Sequence, residues 1–488
     1  MMQLDEIEEP TLLQSPAAAT ASATASAEHP LAWPLMIAIS FLATIGMTIV
    51  LPVLPFVIAG YVPESSLALW VGVLEAVYAL CAFVAAPFLG SLSDRFGRKP
   101  ILVISVLGSA AGFVMFGIGG ALWVLLVSRV IDGLTAGDMP VMFAYVADIT
   151  PPEQRARRYG LLGALSGVGF MIGPAIGGFL ATISLSAPLF ATAGVALLIG
   201  VLSALVLPES LSAANRTKEL KLESLHPVKV IADAFARPEL RSLLVGFTLI
   251  AIPFAFFANN ITVLAMDTVS WGPTEVGLFT SVIGVLDILI QGVLLGWLLK
   301  VFGERGVVIG GMVGQLIGCA GLALAAALLP LPAVLAAAGL IFAAGQGGMT
   351  AALDGLMSTS VGADEQGWLA GGLSSLNSAV QMTAPLIAGW FYGVSHSAPY
   401  WVGVGIIAAA AFTLARSTKL RPAVPVAVPV EGPVGPHRSR TPPPAASLVI
   451  RDPTPADPHR RRLRPLAGRR PRHRPAGRLG PGASDRVR

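Results

Sequence analysis

The sequence predicts an all-α membrane protein whose twelve transmembrane helices form two pseudo-symmetric bundles of six. Three observations carry that expectation. Apolar residues make up 54% of the 488 and charged residues only 12%, against about 25% charged in average soluble domains. Twelve apolar stretches can be drawn, each near the ~20 residues a helix needs to cross a bilayer. A loop bearing glycine and basic residues, Gly90–Pro100, is echoed at Gly296–Arg305, between equivalent stretches.

The stretches run roughly over 33–59, 68–92, 100–120, 123–148, 159–183 and 187–207, then 241–266, 275–299, 306–329, 333–358, 367–393 and 398–415. A polar linker, 209–240, divides a first bundle (31–208) from a second (241–416). Residues 1–30 open with Asp5, Glu6, Glu8 and Glu9 and turn Ala/Ser/Thr-rich, the reverse of a signal peptide's basic head; they are expected to be a disordered tail before an uncleaved first span. Residues 417–488 are also expected to be disordered, because proline recurs too often for a helix. From 421 onward they hold 15 Arg against 4 acids. The formal charge of +4 therefore belongs to this tail, and the remainder is acidic. A contact with a lipid surface suits such a tail better than nucleic acid, since no aromatic residues are interleaved.

Lys and Arg set the orientation. Arg95–Lys99, Arg155–Arg158, Arg216–Arg241, Lys300–Arg305 and Arg416–Arg421 fall on one side, and the opposite loops hold neither residue. Both termini are expected in the cytoplasm of a cell whose plasma membrane the chain crosses repeatedly. In the first loop Gly90 and Gly97 allow the reversal, Asp94 suits a helix terminus, and Arg95, Arg98 and Lys99 hold the turn inside. Gly90, Leu92, Phe96, Gly97 and Lys99 match Gly296, Leu298, Phe302, Gly303 and Arg305, as parallel repeats should.

Two spans carry the remaining pattern. In the fifth, Gly169, Gly173 and Gly177 recur every four residues, a small-residue face that lets helix backbones approach, with Gly178 following and Pro174 permitting a bend. In the fourth, Arg129 lies inside hydrocarbon, at a cost of about 2.5–3.5 kcal/mol, and needs a partner. Glu75 is one candidate: it stands 19 residues before Asp94, as Arg129 stands 19 before Asp148, so the two lie at similar depth. Asp132 is the rival, three residues on along the same helix face. Asp138, Asp287 and Asp354 complete the intramembrane carboxylates. Asn259 and Asn260 in span seven either face a cavity or bridge helices.

Gly90–Pro100 resembles the signature loop between helices 2 and 3 of the major facilitator superfamily. The Gly-Pro and Gly-Gly pairs of span five resemble the antiporter motif of that family's exporters. Span four, from Arg129 to the loop at Asp148, resembles the family's Arg-bearing helix, and Leu51–Pro55 and Gln366-Gly367 fit as well. Over roughly 31–416 the chain is similar to twelve-helix drug:proton antiporters, particularly tetracycline efflux proteins. The resemblance implies the major facilitator fold and an exporter working by alternating access. It gives Gly90, Asp94, Arg95, Gly97, Arg98 and Lys99 a gating role. Where those exporters carry an Asp in helices 1 and 3, a His in helix 8 and a Gln in helix 10, this chain has Ala43, Gly112, Asp287 and Asp354. These departures leave the exporter class standing and speak against tetracycline as the substrate.

The expected activity is proton-coupled efflux of small, mainly apolar or cationic molecules, with Glu75, Arg129, Asp132, Asp138, Asp287 and Asp354 as candidate coupling residues and Asn259 and Asn260 as cavity candidates. No nucleophile–base pair points to an enzyme, no phosphate-cradling loop points to ATP, and Cys81 and Cys319 read as buried apolar side chains rather than a metal or disulfide pair. The expectation is a monomer in lipid, without cofactor, metal or nucleic acid, whose partners are protons and a small molecule. The rivals are an importer of a sugar, organic acid or other nutrient, and a membrane sensor signalling through its tail. Truncation after about residue 421 is expected to leave membrane insertion and transport intact, as assayed in vesicles at matched protein level; loss of both would favour the sensor.

Overall fold

A computed structural model describes residues 32–136, 138–217, 227–362 and 365–415. The expected tails 1–30 and 417–488, and residues 218–226 of the linker, lie outside the described residues. The regular elements described are all helical. They are α1 (Ala32–Val50), α2 (Leu54–Ala59), α3 (Leu67–Phe96), α4 (Arg98–Ile118), α5 (Leu122–Leu134), α6 (Asp138–Asp148), α7 (Pro152–Ala181) and α8 (Ala187–Val206). Inside the expected linker lies α9 (Pro227–Ala236); then come α10 (Pro238–Val269), α11 (Pro273–Leu289), α12 (Leu295–Ala327), α13 (Pro332–Ser358), α14 (Gln366–Val394) and α15 (Ala398–Ala415).

Proline and glycine punctuate these elements. Proline occupies the first turn of α7, α8, α10, α11 and α13, where its missing N–H costs no helical bond. Gly119 and Gly120, at φ 61° and 90°, turn α4 into α5, and the Tyr61 hydroxyl accepts the Gly120 amide at 2.9 Å. The apolar stretches expected from the sequence fall on these helices, with three differences. The first breaks at Leu51–Val53, where Pro52 has no amide to donate, and the fourth breaks after Leu134. The eighth does not end at its expected limit: α11 passes through a π-helical turn (Ile290–Leu294) into α12, which is two helices meeting at a kink at Gly303 (φ 66°, ψ 172°). Pro174 gives no break, and α7 runs through it.

Eight helical runs among the described residues are long and apolar enough to cross a membrane; one spans 55 residues, Pro273–Ala327. The kink at Gly303 divides that run into two pieces, each long enough for a ~30 Å hydrocarbon core. Large apolar side chains stand on the outside, such as Leu205 at 76% exposure and Ile183 at 73%. Such a surface belongs against lipid.

In the first half α4 packs on α5 and α8, α3 on α5, and α1 on α7 and α8; in the second half α12 packs on α13 and α15, and α10 on α14 and α15. The halves meet chiefly through α3 with α14 and α7 with α11. Both contacts are made where side chains are missing. A β-carbon at Gly72 would overlap the Pro385 carbonyl, and one at Gly277 would overlap that of Pro174. A β-carbon at Gly389 would meet Ala68 and Leu69, and one at Gly178 would meet Pro273 and Thr274. Each contact in one pair thus has a counterpart in the other. All four lie at the ends of α3, α7, α11 and α14 remote from the basic loops.

Filling such a site forces backbones apart, at ~1–3 kcal/mol for an overpacked contact. Gly393 lies beside Ser65 at this same end. In a background of Cys81→Ser and Cys319→Ser, a Ser65→Cys/Gly393→Cys pair is expected to crosslink on oxidation. Adding Gly178→Val or Gly389→Val is expected to lower the yield several-fold, read by gel mobility after proteolysis between the halves; an unchanged yield would show that the contact is not a seal.

Candidate functional site

A central cavity of about 890 Å³ lies between the halves, walled mainly by α3, α10 and α14. It adjoins a side pocket of about 250 Å³ in the first half and a cavity of about 750 Å³ reaching into the second half. Leu51 and Phe170 border all three, so the three lie side by side. The wall of α3 runs from Glu75 to Pro87 and that of α14 from Trp368 to Pro385. The cavity therefore lies on the basic-loop side of the glycine contacts. Neither of the two larger cavities is lined by Lys or Arg among the described residues, yet Glu75, Asp287 and Asp354 line them. Among the described residues around the three spaces, Glu75, Asp132, Asp287 and Asp354 outnumber the one cation, Arg129, and this excess biases the potential negative.

Arg129 on α5 is 5% exposed and lines the side pocket together with Glu75 and Asp132. Its ion pair is with Asp132, at 3.4 Å. The expected Glu75–Arg129 pair is thereby corrected: Glu75 borders the same pocket but is not within ion-pair distance. One helix turn already brings Asp132 alongside Arg129, whereas Glu75 must be held there by a second helix. The guanidinium also lies over Phe116, 4.7 Å from the ring centroid, with Phe113 and Tyr78 farther off. Its Nε and Nη2 find no hydrogen-bond partner. The pair thus leaves two guanidinium donors without a partner in the pocket that Glu75 also lines.

The other expected residues divide. Asp287 accepts from Gln291 Nε2 at 2.7 Å, and its carboxylate sits against Gly347, where a β-carbon would overlap it. Asp354 borders the same cavity. Asp138 heads α6, but its side chain lies outside what is described. Asn259 lines the central cavity and donates to Asn260 at 2.8 Å; Asn260 in turn donates to the Ala388 carbonyl of α14 at 3.1 Å. One asparagine therefore faces the cavity and the other bridges helices. In α7, Gly169, Gly173 and Gly177 pack on Thr44, Thr48 and Ile49 of α1, while Gly178 faces α11. The small-residue face joins two helices of one half, and the residue beyond it joins the halves.

At the basic face the reversal between α3 and α4 narrows to Gly97, at φ 109°. Asp94 pairs with Arg98 at 2.5 Å, and Arg98 reaches Asp148 at 3.2 Å. Ser210 also donates to Asp148, at 3.0 Å. Arg95 stacks on Phe96 instead of joining this network, and Gly90 meets nothing that a β-carbon would disturb. The residue that sequence reasoning missed is Glu209. Its carboxylate accepts the Arg98 amide at 2.8 Å and the Lys99 amide at 3.3 Å, capping the start of α4 from the linker. A carboxylate satisfies orphan amides and favours the positive end of a helix. Its only sequence signal is a lone acid just past the sixth apolar stretch.

Among the described residues no three His, Cys, Asp or Glu gather as metal ligands. The Major Facilitator Superfamily model matches residues 36–266 and 243–464. The chain is 36% identical to the class C tetracycline resistance protein of Escherichia coli over 386 residues, covering 78% of this chain and 94% of that protein. It is 27% identical to the quinolone resistance protein NorA of Staphylococcus aureus, covering 75% and 91%. A crystal structure of a D-xylose-proton symporter superposes with a TM-score of 0.61 at 18% identity, covering 82% of this chain and 99% of that one.

Glu209→Ala is expected to lower folding stability by ~0.5–2 kcal/mol, the range for losing a helix cap. Glu209→Gln keeps an acceptor oxygen and is expected to restore part of it. Thermal unfolding of the detergent-solubilised chain reads both, and equal midpoints for all three proteins would remove the cap.

Proposed function

We infer that this chain, which belongs to the Major Facilitator Superfamily, exports small, mainly apolar or cationic molecules across the cytoplasmic membrane in exchange for protons. The observation that carries the reading is the cavity between the halves, lined by carboxylates that outnumber the one neighbouring guanidinium and closed at one end by backbone contacts. The resistance proteins among the relatives support an exported, drug-like substrate. The protein acts as a monomer within the bilayer, in two six-helix halves with both termini in the cytoplasm, and performs transport rather than chemistry.

Alternating access needs two closures that exchange. With the basic face toward the cytoplasm, the observed state is open inward. Rocking the halves separates the glycine contacts and brings together the basic ends of α3, α7, α11 and α14. The loop carrying Gly90, Asp94, Arg95, Gly97, Arg98 and Lys99 stands at that end. Its Asp94–Arg98–Asp148 network ties α3, α4 and α6 into one body that moves as a unit.

Coupling centres on Glu75. A proton there removes its charge from beside the Arg129–Asp132 pair, whose free guanidinium donors otherwise attract a carboxylate. That difference biases a two-state arrangement. Inward proton flow supplies about 2.3 kcal/mol per charge per 100 mV. Asp138, Asp287 and Asp354 are further candidates for the same role. One feature favours import of a polar nutrient: Ser374, Ser375, Asn377, Ser378 and Gln381 give α14 a hydrogen-bonding stripe along the cavity. The alanines and aromatics of the remaining wall, and the resistance proteins among the relatives, favour export.

Glu75→Gln is expected to abolish concentrative, protonophore-sensitive transport in energised inverted vesicles while sparing substrate exchange at zero gradient. Asp132→Asn is expected to impair both, because it leaves Arg129 buried without its counter-charge. Concentrative transport by Glu75→Gln would pass the coupling role to another carboxylate, and uptake by right-side-out cells would favour the importer.

A further inference from the structure

Trp368 stands in the first turn of α14 and lines the central cavity at its basic-face end, where Phe83 and Pro87 of α3 belong to the same wall. The Arg237 guanidinium lies over the Trp368 ring, 4.1 Å from the centroid. That guanidinium is itself fixed by a two-pronged hydrogen bond to Glu365, at 3.0 and 2.8 Å. Gln366, between Glu365 and the indole, is locked to α13: its side chain accepts from the Ser358 hydroxyl at 2.9 Å and donates to the Ser358 carbonyl at 2.8 Å. The first turn of α14 is therefore pinned from α10's start on one side and from α13's end on the other. The Arg237 hydrogen bonds hold the Glu365 carboxyl below the usual glutamate range. The clamp thus keeps its charge at cytoplasmic pH and is lost only as pH falls through that lowered value.

An indole fixed in one plane loses little freedom when another ring is laid against it, so a flat partner gains the full stacking interaction. A partner without a flat face gains only area. We propose that Trp368 is the platform of a subsite at the cytoplasmic mouth, taking flat aromatic substrates before they pass to the carboxylate-bearing interior, and that Arg237 is its positioning residue. The proposal rests on the efflux reading and adds a substrate class and a place of first contact.

The test uses two monovalent organic cations of different shape, flat ethidium and propeller-shaped tetraphenylphosphonium, transported by the full chain in energised inverted vesicles. Trp368→Ala is expected to raise KM for ethidium by about five- to tenfold, the upper part of the range for one aromatic stack. It is expected to leave kcat unchanged and KM for tetraphenylphosphonium within about twofold. Trp368→Phe should recover most of the loss, and Arg237→Gln should raise KM for ethidium in the same direction by less. If Trp368→Ala fails to reach the membrane, Trp368→Leu keeps apolar bulk without a flat face and reads the same difference. Equal shifts for both cations, no shift for either, or a fall in kcat at constant KM would overturn the proposal. A parent chain that exports tetraphenylphosphonium but not ethidium overturns the subsite and leaves efflux standing; one that exports neither overturns both.

Discussion

The contact of Gly72 with the Pro385 carbonyl, and of Gly277 with that of Pro174, sets the terms for the rest of the molecule. In lipid, apolar side chains gain nothing by leaving hydrocarbon for each other, so helices hold together through close backbone approach. Where two halves must hold and also release, a contact made of backbone alone serves both needs. It is tight because nothing intervenes, and it can be broken without exposing a polar side chain. Every other feature follows from where these contacts fall. They close one end, which makes the space beyond them a cavity with a mouth on the basic face.

Within that space the charges are arranged unequally. The first half buries its cation against its own helix, Arg129 on Asp132, and surrounds it with aromatic faces. The carboxylates of both halves are left facing the cavity. The cost of burying a charge is thus met locally for Arg129, and the remaining charges stay where a proton or a cation can reach them. A symmetric exchange of charged pairs between the halves would have joined them permanently. The second half keeps its own polar contacts internal: Gln291 on Asp287, and Gln315 on Gln346.

The fold was legible because apolar length and loop charge are one-dimensional properties. The stretches and the repeat at Gly97 and Gly303 could be read directly, and both glycines carry a positive φ. The site was less legible because it depends on rotation about helix axes. Arg129 had two candidate partners, and depth along the membrane favoured Glu75 as much as helix spacing favoured Asp132. Only the facing of α3 against α5 decides between them. Asn259 and Asn260 are neighbours in sequence and about 100° apart around α10, so each took one of the two roles that sequence left open. Glu209, Arg237 and Trp368 were invisible for a different reason. Their partners lie 111, 128 and 131 residues away in the chain, and no periodicity links them.

The cap on α4 also bears on how the chain is made. Ribosomes deliver helices in order, and the first half cannot finish its basic face until Glu209 and Thr217 emerge, since the one caps α4 and the other donates its amide to the Asp94 carbonyl. Once they do, the first six apolar stretches are tied off before α10 has left the ribosome. The start of the linker therefore acts as a clasp that completes one half as a separate assembly step. The second half then inserts against a finished partner, whose glycine faces on α3 and α7 are already in place to receive it.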